Sequence, residues 1–209
     1  MAFKVFDYRR DIRNLIVTPQ IRSRFLKMEP GQYNQRHSHD LGYEMFLILQ
    51  GKAEFEIEGH KEIVSEGQLC MTGPDEIHGV RNMLSDKPTI MYLSVTPHIA
   101  PTHTFWAEDH VEKKPPRFVP NSQYDVVQDL SIPKKKLIDD QIASLEKLKQ
   151  VFEENIKSIG NELSLLKNEQ NTINAIKLRD DMSKQIYELY NELYCFGDFW
   201  NSLAPRIEQ

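Results

Sequence analysis

The sequence predicts a mainly β protein: an antiparallel sandwich or barrel in front, followed by a carboxy-terminal α-helical hairpin or coiled-coil segment. Three observations carry this. Of 9 glycines and 11 prolines in 209 residues, all but Gly160, Gly197 and Pro205 lie at or before Pro133. Turns therefore crowd the front and nearly vanish from the back. Short apolar runs broken by turn residues recur from Arg22 to Thr96, whereas from Lys134 apolar residues recur at spacings of three and four.

The strand expectations are Arg24–Met28, Tyr43–Gln50, Ala53–Glu58, Lys61–Val64, Gln68–Thr72, His78–Met83 and Thr89–Val95. Pro30-Gly31, Gly51-Lys52, Gly59-His60, Glu66-Gly67, Gly73-Pro74-Asp75 and Asp86-Lys87-Pro88 separate them as turns. Lys52 to Glu58 alternates polar and apolar side chains, as a half-buried strand does. Short strands at this spacing fit an antiparallel sandwich or barrel.

Pro97 to Pro133 holds six prolines and is read as irregular, wrapping the barrel through Phe105, Trp106 and Phe118 before becoming a linker. The expected domains are a barrel with an amino-terminal extension over 1–115, a Pro-rich linker over 116–133 and a helical domain over 134–209.

In the helical part, Ile138, Ile142, Leu145, Leu148, Phe152, Ile156, Ile159, Leu163 and Leu166 form one apolar series. Leu178, Met182, Ile186, Leu189, Leu193, Phe196 and Trp200 form a second, after a polar interval at 167–171. The seam is close to a heptad repeat, and the phase slips at the interval. A hairpin turning near Asn168–Asn171 is favoured over one long stuttered helix. Such stripes need a partner: the other helix, the barrel or another subunit. The expectation is a homo-oligomer, with a dimer favoured.

The net charge is -5 and the sequence pI about 5.8. Residues 1–133 carry 15 Lys+Arg against 18 Asp+Glu, and 134–209 carry 11 against 13. Neither part is basic, so no nucleic-acid partner is expected. No apolar run is long enough to span a membrane, and the amino terminus lacks the apolar core of a secretory signal. Cys70 and Cys195 form no close pair; one long-range disulfide is compatible with the count, but reduced buried thiols fit better. The expected location is the cytoplasm.

The chemistry concentrates between Gly31 and Asn82. His37 and His39 are two apart, so on a strand both imidazoles share a face. Glu44 opens the next apolar strand, and His78 opens another after a Gly-Pro-Asp turn. Three imidazoles and a carboxylate converging in a barrel make a shell for a divalent first-row metal with positions left for water or substrate. By strand parity Tyr33, Gln35, Phe46, Ile48, Val80 and Asn82 are candidates to bind substrate. His60 reads as an exposed turn residue, and His98, His103 and His110 as lying away from the site. Thr102–Trp106 reads as an apolar plug over a sheet, with a lid as the alternative.

These residues resemble the two motifs of the cupin superfamily. Gly31, His37, His39, Glu44 and Gly51 meet every position of the first, and Gly67, His78 and Asn82 stand at the spacing of the second. The second departs at its turn, where Gly73 and Asp75 replace Pro and Gly and a proline is displaced to Pro74. The resemblance covers roughly residues 20–96 and is to the small single-domain type. It implies a double-stranded β-helix barrel and one divalent metal, Fe(II), Mn(II), Ni(II) or Zn(II), at His37, His39, Glu44 and His78. It does not select a reaction, since this fold hosts many. The reading is a metal-dependent enzyme acting on a small organic molecule, with dioxygenase the foremost class. The alternatives are a non-catalytic small-molecule-binding or sensory module, its helices mediating oligomerisation or partner binding, and a structural protein with an inert metal.

Overall fold

The computed structural model describes residues 3–105 and 128–207. The expectations for Trp106, His110, Phe118 and linker positions 116–127 lie outside these residues. The chain divides into two compact units, Met1–Gln128 and Asp129–Gln209.

Among the described residues, ten strands build the first unit. They are β1 (Asn14–Val17), β2 (Arg22–Met28), β3 (Tyr33–Ser38), β4 (Tyr43–Gln50) and β5 (Lys52–Ile57), then β6 (His60–Ser65), β7 (Leu69–Thr72), β8 (His78–Asn82), β9 (Thr89–Thr96) and β10 (Thr104–Phe105). Two antiparallel five-stranded sheets face each other, ordered β1-β2-β9-β4-β7 and β10-β3-β8-β5-β6. The seven expected strands are present. β1, β3 and β10 were not among them: β3 is too polar to read as a run, and β10 is two residues set inside the Pro-rich stretch.

Register explains the interior. On the first sheet Arg22, Val95, Glu44 and Thr72 stand in one row across β2, β9, β4 and β7. Arg24, Leu93, Phe46 and Cys70 form the next, and Leu26, Met91 and Ile48 a third. One end of the interior is thus polar and the other apolar. At the apolar end Met28, Ile48, Ala53 and Met91 are fully buried, and Phe46 meets Phe55 at 4.9 Å between ring centroids. Burial of such side chains contributes about 1.5–3 kcal/mol each. Gly42 permits a close approach: a Cβ there would lie 2.0 Å from the Thr96 carbonyl oxygen. Asp75 adopts φ +64, the left-handed conformation that a glycine would supply, so the turn before β8 forms without one.

The second unit is a helical hairpin, α1 (Lys134–Leu166) and α2 (Thr172–Leu203), ending in a 3-10 turn at Ala204–Arg206. The polar interval forms the connection. Asn171 caps α2, its Oδ1 accepting from the N–H of Ile173 at 2.9 Å and of Asn174 at 3.4 Å. The inward face of α1 differs from the expected stripe. Leu137, Ser144, Val151 and Asn155 are buried, and Asn155 Nδ2 donates to the Gln185 carbonyl at 3.2 Å. Ile142, Leu145, Phe152 and Ile156 are exposed. Small residues at a helix contact let the axes approach, which favours the Ser144 face over the bulkier stripe. Both cysteines are free; Cys195 is exposed rather than buried. Among the described residues no helix is long and apolar enough to cross a membrane.

Candidate metal centre

Each sheet contributes to one cluster at the polar end of the barrel. His37 on β3 pairs in register with His78, the first residue of β8. His39 follows β3, and Glu44, second in β4, faces them from the other sheet. One potential ligand atom from each of the four lies within 4.8 Å of all the others. Glu44 Oε2 is 2.9 Å from His39 Nε2 and 3.1 Å from His78 Nε2. His39, Glu44 and His78 are each no more than 3% exposed.

The outer ring nitrogens decide what this cluster can hold. His37 Nδ1 lies 2.8 Å from the Gln35 carbonyl, His39 Nδ1 2.6 Å from that of Thr102, and His78 Nδ1 2.9 Å from that of Glu76. Carbonyls only accept, so each Nδ1 carries the proton and donates. A neutral ring then has just a lone pair at Nε2, the tautomer a metal needs. Lone pairs beside a carboxylate oxygen at 2.9 and 3.1 Å repel unless a cation lies between them. That cation is a proton on the ring or a metal. Burial, then the neighbouring His78, pushes His37 down to about 3, which keeps it neutral. Burial opposes the charge on Glu44, but where the cation between these groups is a ring proton, attraction to His39 and hydrogen bonds from His39 and His78 override it. They hold the carboxyl well below its usual range. An ionised carboxylate with neutral imidazoles is a donor set that fits a divalent first-row metal.

A cavity of about 310 Å³ adjoins the cluster. His37, Glu44 and His78 line it with Arg22, Arg24, Leu26, Asn34, Phe46, Val80, Leu93, His103 and Phe105. Of the six residues expected by parity to bind substrate, Phe46 and Val80 are on this wall. Tyr33 and Gln35 are exposed instead, and Asn34 takes the inward place. The β3–β8 pairing shifts register between Asn34 and His37, and such a bulge reverses the alternation. Ile48 sits in the apolar core. Asn82 is a clamp: its Nδ2 faces the carbonyls of Met28, Glu29 and Lys87 at 3.0–3.1 Å, and its Oδ1 accepts from Leu84 N–H at 2.9 Å.

His103, Arg22 and Arg24 are among the wall residues that escaped the sequence reading. His103 was expected to lie away from the site; its ring centroid is 4.7 Å from that of His37 and 4.8 Å from that of His39. Pairing of β10 with β3 brings it there, and nothing in a Pro-rich stretch signals that. Arg22 and Arg24 had a signal: with Leu26 and Met28 they complete an inward alternation, visible once the strand is started two residues earlier. Arg22 Nη2 is 3.8 Å from Glu44 Oε1. Thr102, in the stretch read as a plug, supplies the carbonyl that orients His39.

Comparison with known proteins bears on this geometry. The family described as "Cupin domain" matches residues 24–96. No curated protein matches the chain. Among solved structures it is similar to KdgF from Halomonas sp., at 22% identity over 42% of this chain and 78% of that one, with a TM-score of 0.39. It is similar to an uncharacterized conserved protein with a double-stranded beta-helix domain from Klebsiella pneumoniae, at 21% identity over 46% and 91%, TM-score 0.43. A third is the DMSP lyase DddQ from Ruegeria pomeroyi, at 22% identity over 42% and 44%, TM-score 0.37.

Proposed function

We propose that the chain, whose residues 24–96 match the cupin-domain family, is a metal-dependent cupin enzyme acting on a small organic molecule, with dioxygenation as its reaction class. His37, His39, Glu44 and His78 hold the metal in this reading. The observation that carries it is the set of three Nδ1–H donations to backbone carbonyls, which leaves three Nε2 lone pairs for a metal, two of them against one Glu44 oxygen. Fe(II), Mn(II), Ni(II) and Zn(II) all suit these donors, and the donor set does not choose between them.

When bound, such a metal supplies Lewis acidity and, if redox-active, electron exchange. The chain's own residues do the rest. Gln35, Thr102 and Glu76 fix ring orientation through their carbonyls. Phe46, Val80 and Leu93 keep water from the inner wall. Asn34 and His103 offer polar contacts to a bound molecule.

The helical unit serves self-association in this account, through the outward stripe of α1 that the hairpin leaves exposed.

The test is dioxygen uptake by the Fe(II)- and Mn(II)-loaded protein over a panel of small organic molecules, with the organic product followed in parallel. Uptake coupled to loss of one compound supports the enzyme. A compound that binds and returns unchanged assigns the sensory module instead.

A further inference from the structure

We propose that the helical unit docks on one second copy of itself, the two α1 helices running antiparallel about a two-fold axis through the middle of α1. The inference rests on the self-association reading above and names its partner, its direction and its number.

α1 has two apolar faces. One, with Leu137, Ser144 and Val151, is buried in the hairpin. The other is turned outward: Ile138, Ile142, Leu145, Phe152, Ile156 and Leu163 are between 41% and 62% exposed. Together with Lys149 and half-buried Ile159 these positions are spaced alternately four and three apart, so they line up as one stripe along the helix. The stripe has the same spacing from either end. Turned about the point between Gln150 and Val151, it sets Ile138 opposite Leu163, Ile142 opposite Ile159 and Leu145 opposite Ile156. Apolar positions thus meet apolar positions on both sides of the centre, as a self-complementary two-fold contact requires.

Charge sets the direction. Lys149 and Glu153 border the outward groove, with Nζ and Oε1 3.8 Å apart within the chain. In the antiparallel alignment Lys149 comes level with Phe152 of the second copy and beside its Glu153, so its stem covers the ring and its charge meets a carboxylate. In a parallel alignment Lys149 would stand beside a second Lys149 and Glu153 beside a second Glu153, which is unfavourable.

The groove also fits this occupant. It has a volume of about 530 Å³, with Leu145, Leu148 and Phe152 of α1 on one side and Leu189, Tyr190 and Leu193 of α2 on the other. These residues lie near the middle of α1 (Lys134–Leu166) and of α2 (Thr172–Leu203). A two-fold axis there lets the hairpins overlap along their whole length, whereas one near an end would leave half of each stripe uncovered. At about 1.5 Å per residue the stripe is about 37 Å long, and two helix diameters make the face about 20 Å wide. Each copy thus covers roughly 700 Å², close to the ~800 Å² per partner of a stable complex. A membrane surface is the poorer occupant, because the helical part carries 11 Lys+Arg against 13 Asp+Glu and offers anionic lipid no net attraction.

The experiment is oxidative cross-linking of the full-length chain in a Cys70→Ser, Cys195→Ser background, with the mass before oxidation read by light scattering. Ile138 and Leu163 are both exposed, so cysteines there leave the hairpin packing alone. They are also about 37 Å apart along one helix, too far to link within a chain, since a disulfide needs Cα atoms within about 7 Å. The mass should be that of two chains. The chain with both Ile138→Cys and Leu163→Cys should convert to covalent dimer on a non-reducing gel, while Ile138→Cys alone and Leu163→Cys alone stay monomeric there. Covalent dimer from either single variant, none from the double variant, or a mass other than that of two chains would each overturn the proposal. A mass of two chains with the wrong linkage sinks the antiparallel docking alone. A mass of one chain sinks the self-association reading with it and gives the stripe to a different partner.

Discussion

Replacing Asn82 by alanine should cost the barrel several kcal/mol and leave the metal centre in place. Asn82 is 1% exposed. Its Nδ2 faces three carbonyls at 3.0–3.1 Å but has two protons, so two bonds are made at full strength. Its Oδ1 accepts from Leu84 N–H at 2.9 Å. The Thr89 hydroxyl has one proton to divide between Asn82 Oδ1 at 2.8 Å and the Lys52 carbonyl at 2.9 Å, so it adds part of a bond. About three hydrogen bonds vanish, and the partners are left in the interior at about 1–1.5 kcal/mol each, giving a loss of about 3–4 kcal/mol. Urea unfolding of wild type and variant, followed by tryptophan-independent far-UV dichroism, measures it as a drop in midpoint at constant slope. Metal content should be unchanged. A loss below about 1 kcal/mol, or unchanged stability with impaired ligand binding, would refute the clamp and return Asn82 to the substrate wall.

Three further outcomes follow from the same structure. Burial, then the charges of Arg22 and His39, pushes His98 down to about 3, and burial and His78 push His37 to about 3. Both rings are kept neutral in the fold while the unfolded chain protonates near 6.5. The metal-free protein should therefore lose stability as pH falls below about 6.5, until the folded rings protonate near 3. Buried His98 alone accounts for about 2 kcal/mol at pH 5, and a flat denaturation midpoint from pH 7 to pH 5 would contradict this. Gly42→Ala should abolish folding or cost at least about 3 kcal/mol, since its Cβ would lie 2.0 Å from Thr96 O. Gly59→Ala, at φ +77 with open space around it, should cost about 1 kcal/mol, and equal losses at the two positions in thermal melts would be wrong for this packing. Ile142→Glu with Ile156→Glu changes two exposed positions on α1 and should reduce the mass seen by light scattering to that of one chain. An unchanged oligomer would count against the stripe as the contact.

What the sequence revealed follows a physical divide. β4 was legible to the residue as an unbroken apolar run between turns, with Glu44, Phe46 and Ile48 buried at alternate positions. The clustering of His37, His39, Glu44 and His78 was legible because their spacing is set by local geometry: one on a strand and one just past its end, and a turn before each of the next two. Substrate-wall residues were less so. Phe46 and Val80 each stand two residues from Glu44 and His78 with no extra residue between, whereas Tyr33 and Gln35 lie beside the bulge on β3 between Asn34 and His37, which sequence periodicity cannot see. His103 reaches the site through a two-residue strand pairing with β3 from 65 or more positions away in sequence. On α1 the period was right and the buried face differs from the expected stripe, whereas on α2 Met182 of the expected series is buried. The amount of apolar surface marks a stripe, but the inward face of the hairpin is decided by which residues let the backbones approach, here Ser144 and Val151.

The most direct test of the central claim is elemental analysis of the protein purified without oxygen and without added chelator, beside His78→Ala and Glu44→Ala. The geometry predicts one divalent first-row metal per wild-type chain and well under half occupancy in both variants, with far-UV dichroism unchanged. Full occupancy in both variants, or a wild-type chain that refuses Fe(II), Mn(II), Ni(II) and Zn(II) alike, would contradict it.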